Sequence, residues 1–427
     1  MKVALINPPW EYRNSIYFGC RAAHLPLELG YAKALLETVG HDVLMLDGPI
    51  QGYDTREIAA KVKSFRPAMT VVTTAPSYLF WRCAPPELRV PQQMLAALRS
   101  QAGVTIAVGP HGSATPAPVL RKLGVDIVVR GECEEVIAAL AETPERRDIS
   151  GIAYLGADGI AQVVGEPAAT RFTDTPALNW PQHWVMRHEH HHHRFGTTAP
   201  GPGAEVEASR GCPYACTFCA KIDFRDRYRK RELRILLKEI DGLITQGVSY
   251  LYFIDEIFLP RPDLLHALRI RNVEFGIQTR IDLWQPEMLD LLGAAGCVSI
   301  EAGVESLTVE GRALLAKKCR LDTEQLSALL FHARRSVPFV QANLIRAEGN
   351  EMGLVAAWRA EMERHGVWAN DPVPLFPYPS APEYRRLWGA PDDQAWERAL
   401  DHYLQQFDSF SDIQDERPLP LNELERT

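Results

Sequence analysis

The feature that most constrains the fold is an alternation of apolar, strand-like runs with amphipathic, helix-like stretches, which occurs twice along the chain. In the first 150 residues the helix-like stretches include LELGYAKALLETVG, and the strand-like runs are KVALINPP, DVLMLD, MTVVTTAP, VTIAVGP and VDIVVRGE. Strands that alternate with helices build βαβ units and parallel sheets. The first part of the chain is therefore predicted to be a Rossmann-like, doubly wound parallel sheet.

A second alternation begins near residue 205. Its strand-like runs are AEVEAS, YLYFIDE, VEFGIQT, CVSIEAG and FVQANLI, with one more near WANDPVPL. Six such repeats predict a complete or partial parallel barrel, whose active site opens at the carboxyl ends of the strands. The predicted fold class is α/β: a Rossmann-like sheet, then a partial (β/α)6 TIM-like barrel, then a small helical C-terminal region.

The predicted domains are a Rossmann-like domain at 1–148, a hairpin and His-rich linker at 149–204, the barrel at 205–380 and the helical region at 381–427. The hairpin is expected within 151–166, with its turn at Asp158-Gly159. The linker contains His188 and His190 to His193. We expect an interdomain or surface loop there, with a role at the substrate mouth as the alternative, because a histidine run alone is a weak metal signal.

Charge and hydropathy limit the partners and the location. The net charge of −8 does not favour nucleic-acid binding, which needs a basic surface. The N-terminus has no leader-like segment, and no stretch reaches the ~18 apolar residues of a membrane span, so a cytoplasmic location without a membrane is expected. The basic stretch FRDRYRKRELR (224–234) is interpreted as the solvated start of the first barrel helix rather than a phosphate or RNA patch.

Three of the eight cysteines, Cys212, Cys216 and Cys219, have the spacing C-x3-C-x2-C in a turn-like stretch after the first barrel strand. Structural zinc takes four ligands, and no second cysteine or histidine pair lies nearby. A chance cluster of buried thiols is another alternative. A [4Fe–4S] cluster held by three thiolates, with its fourth iron open, explains the number of cysteines best. Cys133 and Cys297 are predicted to be buried thiols.

The motif CPYACTFC, at the end of the first strand of a six-fold βα repeat, resembles the radical S-adenosylmethionine (SAM) superfamily. The resemblance implies that the amino and carboxylate groups of SAM chelate the open iron, and that an electron from the cluster cleaves SAM to a 5′-deoxyadenosyl radical. It also implies a set of SAM-binding residues along the barrel: Phe218, Asp255, Glu256, Gln278, Arg280 and Glu305.

The N-terminal motifs INPPW, VGPHG and DIVVRGECEE resemble the cobalamin-binding domain that precedes the barrel in one branch of that superfamily. No Asp-x-His-x-x-Gly motif occurs, so cobalamin is expected to bind without a lower axial histidine. A glycine-rich dinucleotide fingerprint is also missing, which argues against a nicotinamide cofactor. The residues implied in cobalamin binding lie at predicted strand ends: Asn7, Pro8, Ser77, Gly109, His111, Gly131 and Glu132.

The resemblance implies methylation of an unactivated carbon, in a small-molecule or natural-product intermediate, through methylcobalamin and the 5′-deoxyadenosyl radical. A non-methylating rearrangement or cyclisation is an alternative within the same branch. A tRNA methylthiotransferase, with a second cluster on Cys20, Cys83 and Cys133, is another, and a non-enzymatic cobalamin sensor or electron carrier is a third. The expected partners are a small-molecule substrate and an electron donor such as flavodoxin or ferredoxin.

Overall fold

The computed structural model describes residues 1–10, 23–76, 84, 88–98, 101–143, 147–188, 201–221 and 223–406, together with the backbone of two short strands at 409–410 and 419–420. Four sets of residues that carry expectations lie outside these ranges: Ser77, Cys20, Cys83 and His190 to His193. In the described part, no helix is both long and apolar enough to cross a bilayer.

The first half forms one seven-stranded sheet. Its strands are β1 Lys2–Asn7, β2 Asp42–Asp47, β3 Met69–Thr73, β4 Val104–Val108, β5 Ile127–Val129, β6 Ile152–Leu155 and β7 Ala161–Val164. They lie in the order β2-β1-β3-β4-β5-β6-β7. The first five are parallel, and the antiparallel hairpin β6–β7 adds to the β5 edge. The predicted parallel sheet and the predicted hairpin are both present, and the hairpin extends the sheet beyond residue 148.

Helices cover both faces of this sheet. They are α1 Leu27–Thr38, α2 Gly48–Gln51, α3 Thr55–Phe65, α4 Arg89–Leu98, α5 Pro110–Ala114, α6 Pro116–Leu123 and α7 Glu134–Glu142. Helix α1 packs against α7, whereas α4 packs against α3 and α6. Alternate residues of β3 explain the two layers: Val71 joins the core on the α1 and α7 face, and Val72 joins the core on the other face.

The second half contains a six-stranded parallel sheet, joined to the first by a segment with the short helix α8 Gln182–Val185. Its strands, in spatial order from one edge, are β8 Gly203–Val206, β11 Tyr250–Phe253, β12 Glu274–Thr279, β13 Cys297–Glu305, β14 Phe339–Leu344 and β15 Trp368–Ala369. Every pair in this sheet is parallel, which confirms the predicted six-fold strand–helix repeat. Its core is continuous with the α1 and α7 core of the first sheet.

Two-residue strands β9 Ser209–Arg210 and β10 Arg229–Lys230 pair next to β8. The helices of this half are α9 Leu233–Thr245, α10 Pro262–Arg269, α11 Pro286–Ala294, α12 Val309–Leu314, α13 Thr323–Ser336 and α14 Met352–Arg364. Helix α13 starts at a capping box in which the Asp322 carboxylate accepts from the Gln325 amide, a common helix start.

The interpretation of 224–234 as a solvated helix start is wrong. Helix α9 begins only at Leu233, and the residues before it form a loop and strand β10. Arg225 and Arg231 are buried, with 3% and 1% exposure. Arg231 donates to Glu239 at 2.7 Å, so its charge is compensated inside the protein.

The C-terminal region contains α15 Pro382–Trp388 and α16 Ala395–Leu404, which pack together through Tyr384, Ala395 and Ala399. Both helices contact earlier parts of the chain. The Glu383 amide donates to the Thr217 carbonyl at 2.9 Å, and the Trp396 indole donates to the Thr115 hydroxyl at 2.9 Å. The helical region therefore touches both the barrel and the first domain.

Candidate active site

The three cysteines lie in a loop that follows β9, which we call the cysteine loop (residues 211–220). The loop starts at Gly211, whose φ of +80° favours glycine. A Cβ at this position would lie 2.0 Å from the Arg227 carbonyl oxygen, so the close approach of the two segments also requires glycine. Further along, the Thr217 amide donates to the Leu315 carbonyl at 3.0 Å, which fixes the loop against the barrel.

The thiols of the cysteine loop are partly buried. Burial raises the pKa of Cys212 and of Cys216, so in the free protein both favour the thiol form. Among the described residues, these cysteines do not form a group whose ligand atoms all lie within 4.8 Å. Thiolates on one tetrahedral zinc would lie ~3.8 Å apart, given Zn–S bonds of ~2.3 Å. In a [4Fe–4S] cluster each thiolate binds a different iron, so the three sulfurs can lie farther apart than on one zinc.

The two predicted acids after β11 contact the backbone that leads into the cysteine loop. Asp255 accepts from the Ala208 amide at 2.8 Å and from the Ser209 hydroxyl at 2.5 Å. Its burial raises the pKa to about 8. Glu256 accepts from the Gly211 amide at 2.6 Å. Both carboxyl groups therefore hold the approach to Cys212.

Arg280 lies against the cysteine loop. Its guanidinium is 4.1 Å from the ring centroid of Tyr214, inside the loop. Asp282 accepts from Arg280 Nε and Nη2 at 3.1 and 2.7 Å, which fixes the plane of the guanidinium. The remaining nitrogen, Nη1, is buried and has no hydrogen-bond partner. A buried guanidinium nitrogen of this kind fits an anionic or hydroxyl oxygen of a bound cofactor. Gln278, two residues earlier on β12, is partly buried.

Glu305 ends β13 with a positive φ of +69°, an uncommon conformation for a residue with a side chain. It accepts from Lys317 Nζ at 2.9 Å. Lys317 is buried, and both residues lie within electrostatic range of Cys216. The structure thus brings Glu305 to the cysteine loop, as expected. Phe218 lies within that loop and is partly buried.

The first predicted cobalamin residues meet at the carboxyl ends of β1 and β3. The sheet order changes direction between these strands, and ligands of open α/β sheets bind at such a switch point. Asn7 ends β1, and its side chain donates to Asp47 at 2.8 Å and accepts from Trp10 at 2.9 Å and Thr73 at 3.0 Å. Pro8 follows and is buried. Burial raises the pKa of Asp47 to about 7.

Gly109 and His111 follow β4, the next strand in the sheet. Gly109 has a φ of +133°, and a Cβ there would lie 2.5 Å from the Thr74 hydroxyl. His111 is buried; its Nδ1 lies 3.1 Å from the same hydroxyl. Its ring lies 4.3 Å from that of Trp396, in α16. The C-terminal region therefore covers this strand end.

Gly131 and Glu132 follow β5. The Gly131 amide donates to the Ser113 hydroxyl at 2.9 Å. The Glu132 carboxylate accepts from Arg210 at 3.0 Å and is also paired with Arg229, and these arginines lower its pKa against the effect of burial. The Glu132 carboxylate at this strand end is therefore engaged in ion pairs with arginines of the second half of the chain.

Arg210 is the centre of a buried ion-pair network that we call the Arg210 network (Arg210, Arg225, Glu132, Glu134 and Glu207). Arg210 is fully buried, directly before Gly211, and donates to Glu134 and Glu207, each at 2.7 Å. Arg225 donates to Glu207 at 2.5 Å. Although burial opposes it, the charges of Arg210 and Arg225 lower the pKa of Glu207 to about 2.

The Arg210 network was not predicted from the sequence. Its members come from the segment between β5 and α7, from the start of α7, from the link between β8 and β9, from β9 and from the loop before β10, and Arg210 lies 76 residues from Glu134. A signal did exist: Glu205, Glu207 and Arg210 interrupt an otherwise apolar strand pattern, and charged residues in a buried strand need partners. The sequence does not say which distant residues provide them.

The fold and the cysteine loop define the class of protein. Residues 206–341 match the family model of the Radical SAM superfamily. These residues contain β11 to β13, the start of β14 and all three loop cysteines. The radical SAM resemblance predicted from the motifs is therefore confirmed over these residues, and a Rossmann-like domain precedes them.

Two curated relatives and one solved structure are similar to most of the chain. An uncharacterized methyltransferase of Pyrococcus horikoshii is 24% identical over 320 residues, 72% of this chain and 66% of that protein. The anaerobic magnesium-protoporphyrin IX monomethyl ester cyclase of Cereibacter sphaeroides is 25% identical over 328 residues, 72% of this chain and 50% of that protein. The chain thus spans half to two thirds of the length of these relatives.

The solved structure is that of the radical SAM methyltransferase TsrM from Kitasatospora setae, with cobalamin and a [4Fe–4S] cluster bound. The TM-score is 0.70 at 19% identity, and the match covers 90% of this chain and 76% of TsrM. The match shows that both the Rossmann-like domain and the partial barrel of this chain have the TsrM fold.

Proposed function

We propose that this protein is a cobalamin-dependent radical SAM enzyme that methylates an unactivated carbon of a small-molecule or natural-product intermediate. The observation that carries the proposal is the arrangement of the two candidate cofactor sites. The cysteine loop follows Arg210 directly, and Arg210 pairs with Glu132 and Glu134 at the end of β5. The two sites are therefore neighbours joined through a buried contact.

The chain's residues fit the cofactors in different ways. Cys212, Cys216 and Cys219 would hold the [4Fe–4S] cluster. Arg280 would use Nη1 on SAM, and Glu256 and Glu305 border the same loop. When bound, the cluster supplies the electron that cleaves SAM, and the corrinoid carries the methyl group.

The strand ends of β1, β3 and β4 would hold cobalamin. Asn7, Gly109 and His111 would line this site with Pro8 and Gly131. The Nδ1 of His111 lies on Thr74 and its ring lies on Trp396, which favours a packing role for this histidine over an axial ligand. Asn7 is fixed by three hydrogen bonds and so presents a rigid surface to a ligand.

Methylation is supported by the similarity to the Pyrococcus protein and to TsrM, both described as methyltransferases. The similarity to the cyclase makes a non-methylating cyclisation the second candidate. Full burial of Cys133 in the core argues against the second cluster that the methylthiotransferase alternative needs. We further propose a reducing partner such as flavodoxin or ferredoxin and a cytoplasmic location.

Anaerobic reconstitution with iron, sulfide and hydroxocobalamin, followed by reductant and SAM, tests the proposal. We expect four irons, one bound corrinoid and release of 5′-deoxyadenosine. The Cys216→Ala variant should lose the cluster and the product, whereas Cys297→Ala, which removes a buried thiol away from the loop, should keep both.

Separate outcomes contradict separate parts of the proposal. Four irons without corrinoid uptake would remove cobalamin and leave the barrel chemistry. A Cys216→Ala variant that still released 5′-deoxyadenosine would refute the cluster assignment. Corrinoid uptake and 5′-deoxyadenosine without a methylated product, when substrate fractions are supplied, would favour the cyclisation candidate.

A further inference from the structure

A buried cluster of His24, His188 and Glu205 lies outside the sites described so far. One ligand atom from each residue lies within 4.8 Å of the other two. The three side chains come from separate segments: the approach to α1, the end of α8 and strand β8. They are 1%, 3% and 0% exposed. The convergence of two imidazoles and a carboxylate from three segments is a property of the tertiary fold.

Glu205, in β8, differs from Glu207, the buried acid just after the strand. Glu207 is paired with two arginines. The contact at Glu205 is with an imidazole: Oε1 lies 2.9 Å from Nδ1 of His24. A nearby cation stabilises an ionised carboxylate in a buried position, and a metal ion bound by the two imidazoles would place such a cation beside Glu205.

The geometry places the three candidate ligands close to one another. His24 Nδ1 and Glu205 Oε1 are 2.9 Å apart. The two imidazole rings are T-shaped at 5.3 Å, which brings the second imidazole to the same space.

We propose that His24, His188 and Glu205 bind a single divalent transition-metal ion of the zinc and iron(II) class. Two imidazoles and one carboxylate are the ligand set of both catalytic zinc and non-haem iron(II) sites. Three protein ligands leave a coordination position for water or for an anionic oxygen of a substrate. The site does not depend on the proposed radical function, because none of its ligands is in the cysteine loop.

Binding of a metal ion through Nε2 of His188 requires a change of tautomer and the loss of one hydrogen bond. The Leu25 amide donates to Nδ1 of His188 at 3.0 Å, which in the neutral ring places the proton on Nε2. Coordination through Nε2 moves that proton to Nδ1 and gives up the Leu25 bond. Leu25 precedes α1, which starts at Leu27, so the exchanged bond lies outside the helix. Its loss is small compared with a metal–imidazole bond.

The test uses zinc and the full-length protein with its cluster assembled. Because histidine runs bind zinc, a background variant first replaces each histidine of 190–193 with asparagine. The background protein is loaded with zinc without oxygen, treated with EDTA, and analysed for zinc per chain. We expect one zinc per chain and a rise in melting temperature with zinc concentration. His24→Gln and Glu205→Gln should each weaken binding at least ~10-fold.

The matched control is His183→Gln, an exposed histidine in the same segment as His188, which should keep full zinc binding. Zinc X-ray absorption on the background protein gives a readout that does not require the buried variants to fold. Nitrogen and oxygen ligands at ~2.0–2.1 Å would support the site, whereas sulfur at ~2.3 Å would place the zinc in the cysteine loop. A sulfur shell, no retained zinc, or equal retention in folded Glu205→Gln would overturn the proposal.

Discussion

Replacing Arg210 with methionine removes a cation that three buried carboxylates share. Glu207 keeps Arg225 and Glu132 keeps Arg229, whereas within the described part of the chain the Glu134 carboxylate is left with the neutral hydroxyl of Thr170, which donates to it at 2.9 Å. Leaving one buried carboxylate without its cation costs about 3–5 kcal/mol. We therefore expect the unfolding free energy of Arg210→Met at pH 7 to fall by about that amount.

Urea unfolding of the apoprotein, followed by circular dichroism, measures this loss. The double variant Arg210→Met/Glu134→Gln should recover much of it, because the glutamine has no charge and still accepts from Thr170. Arg234→Met is the control, since Arg234 is 88% exposed and its pair with Glu232 contributes little. A loss for Arg210→Met no larger than for the control, or no recovery in the double variant, would refute the reasoning.

Two further predictions concern residues that border the cysteine loop. Between the unfolded pKa of ~3.9 and the folded value of about 8, folded Asp255 holds a proton that the unfolded chain has lost, so its contribution to stability falls by ~1.4 kcal/mol per pH unit. Asp255→Asn should remove this pH dependence of stability. The prediction would be wrong if the urea midpoint of the variant changed between pH 5 and pH 8 as much as that of the unsubstituted protein. Arg280→Lys should weaken SAM binding ~10–100-fold with unchanged iron content, because lysine cannot both stack on Tyr214 and pair with Asp282. Arg271→Lys, which changes the pair between Arg271 and Asp241 of α9, is the control, and equal SAM affinity in the two variants would contradict the assignment.

The fold could be predicted because its signals are local. Each apolar run became a strand, and the Asp158-Gly159 turn gave the hairpin. What local patterns do not contain is the position of one element relative to another. The sequence alone would also allow a hairpin that stands apart from the sheet. In the structure the hairpin pairs with β5, where Val129 and Ile152 are neighbours across the two strands.

The site was predictable only in part, for the same reason. The cysteines share one loop, so their spacing was enough to identify them. The arginines of 224–234 have the composition of a solvated helix, and only distant acids such as Glu28, Glu207 and Glu239 make their burial possible. Likewise His188 was assigned to a loop with its neighbours, although it packs against His24, 164 residues earlier in the chain.

The contact between α15 and the cysteine loop has a consequence for the order of assembly. The Glu383 amide binds the Thr217 carbonyl, and Trp396 then closes over His111. Both residues follow the whole barrel in the chain, so they leave the ribosome after the three cysteines and the strand ends have been made. Until these last helices dock, the Thr217 carbonyl and the His111 ring lack these contacts. The cysteine loop and this strand end therefore reach their final packing only after the rest of the chain has been made.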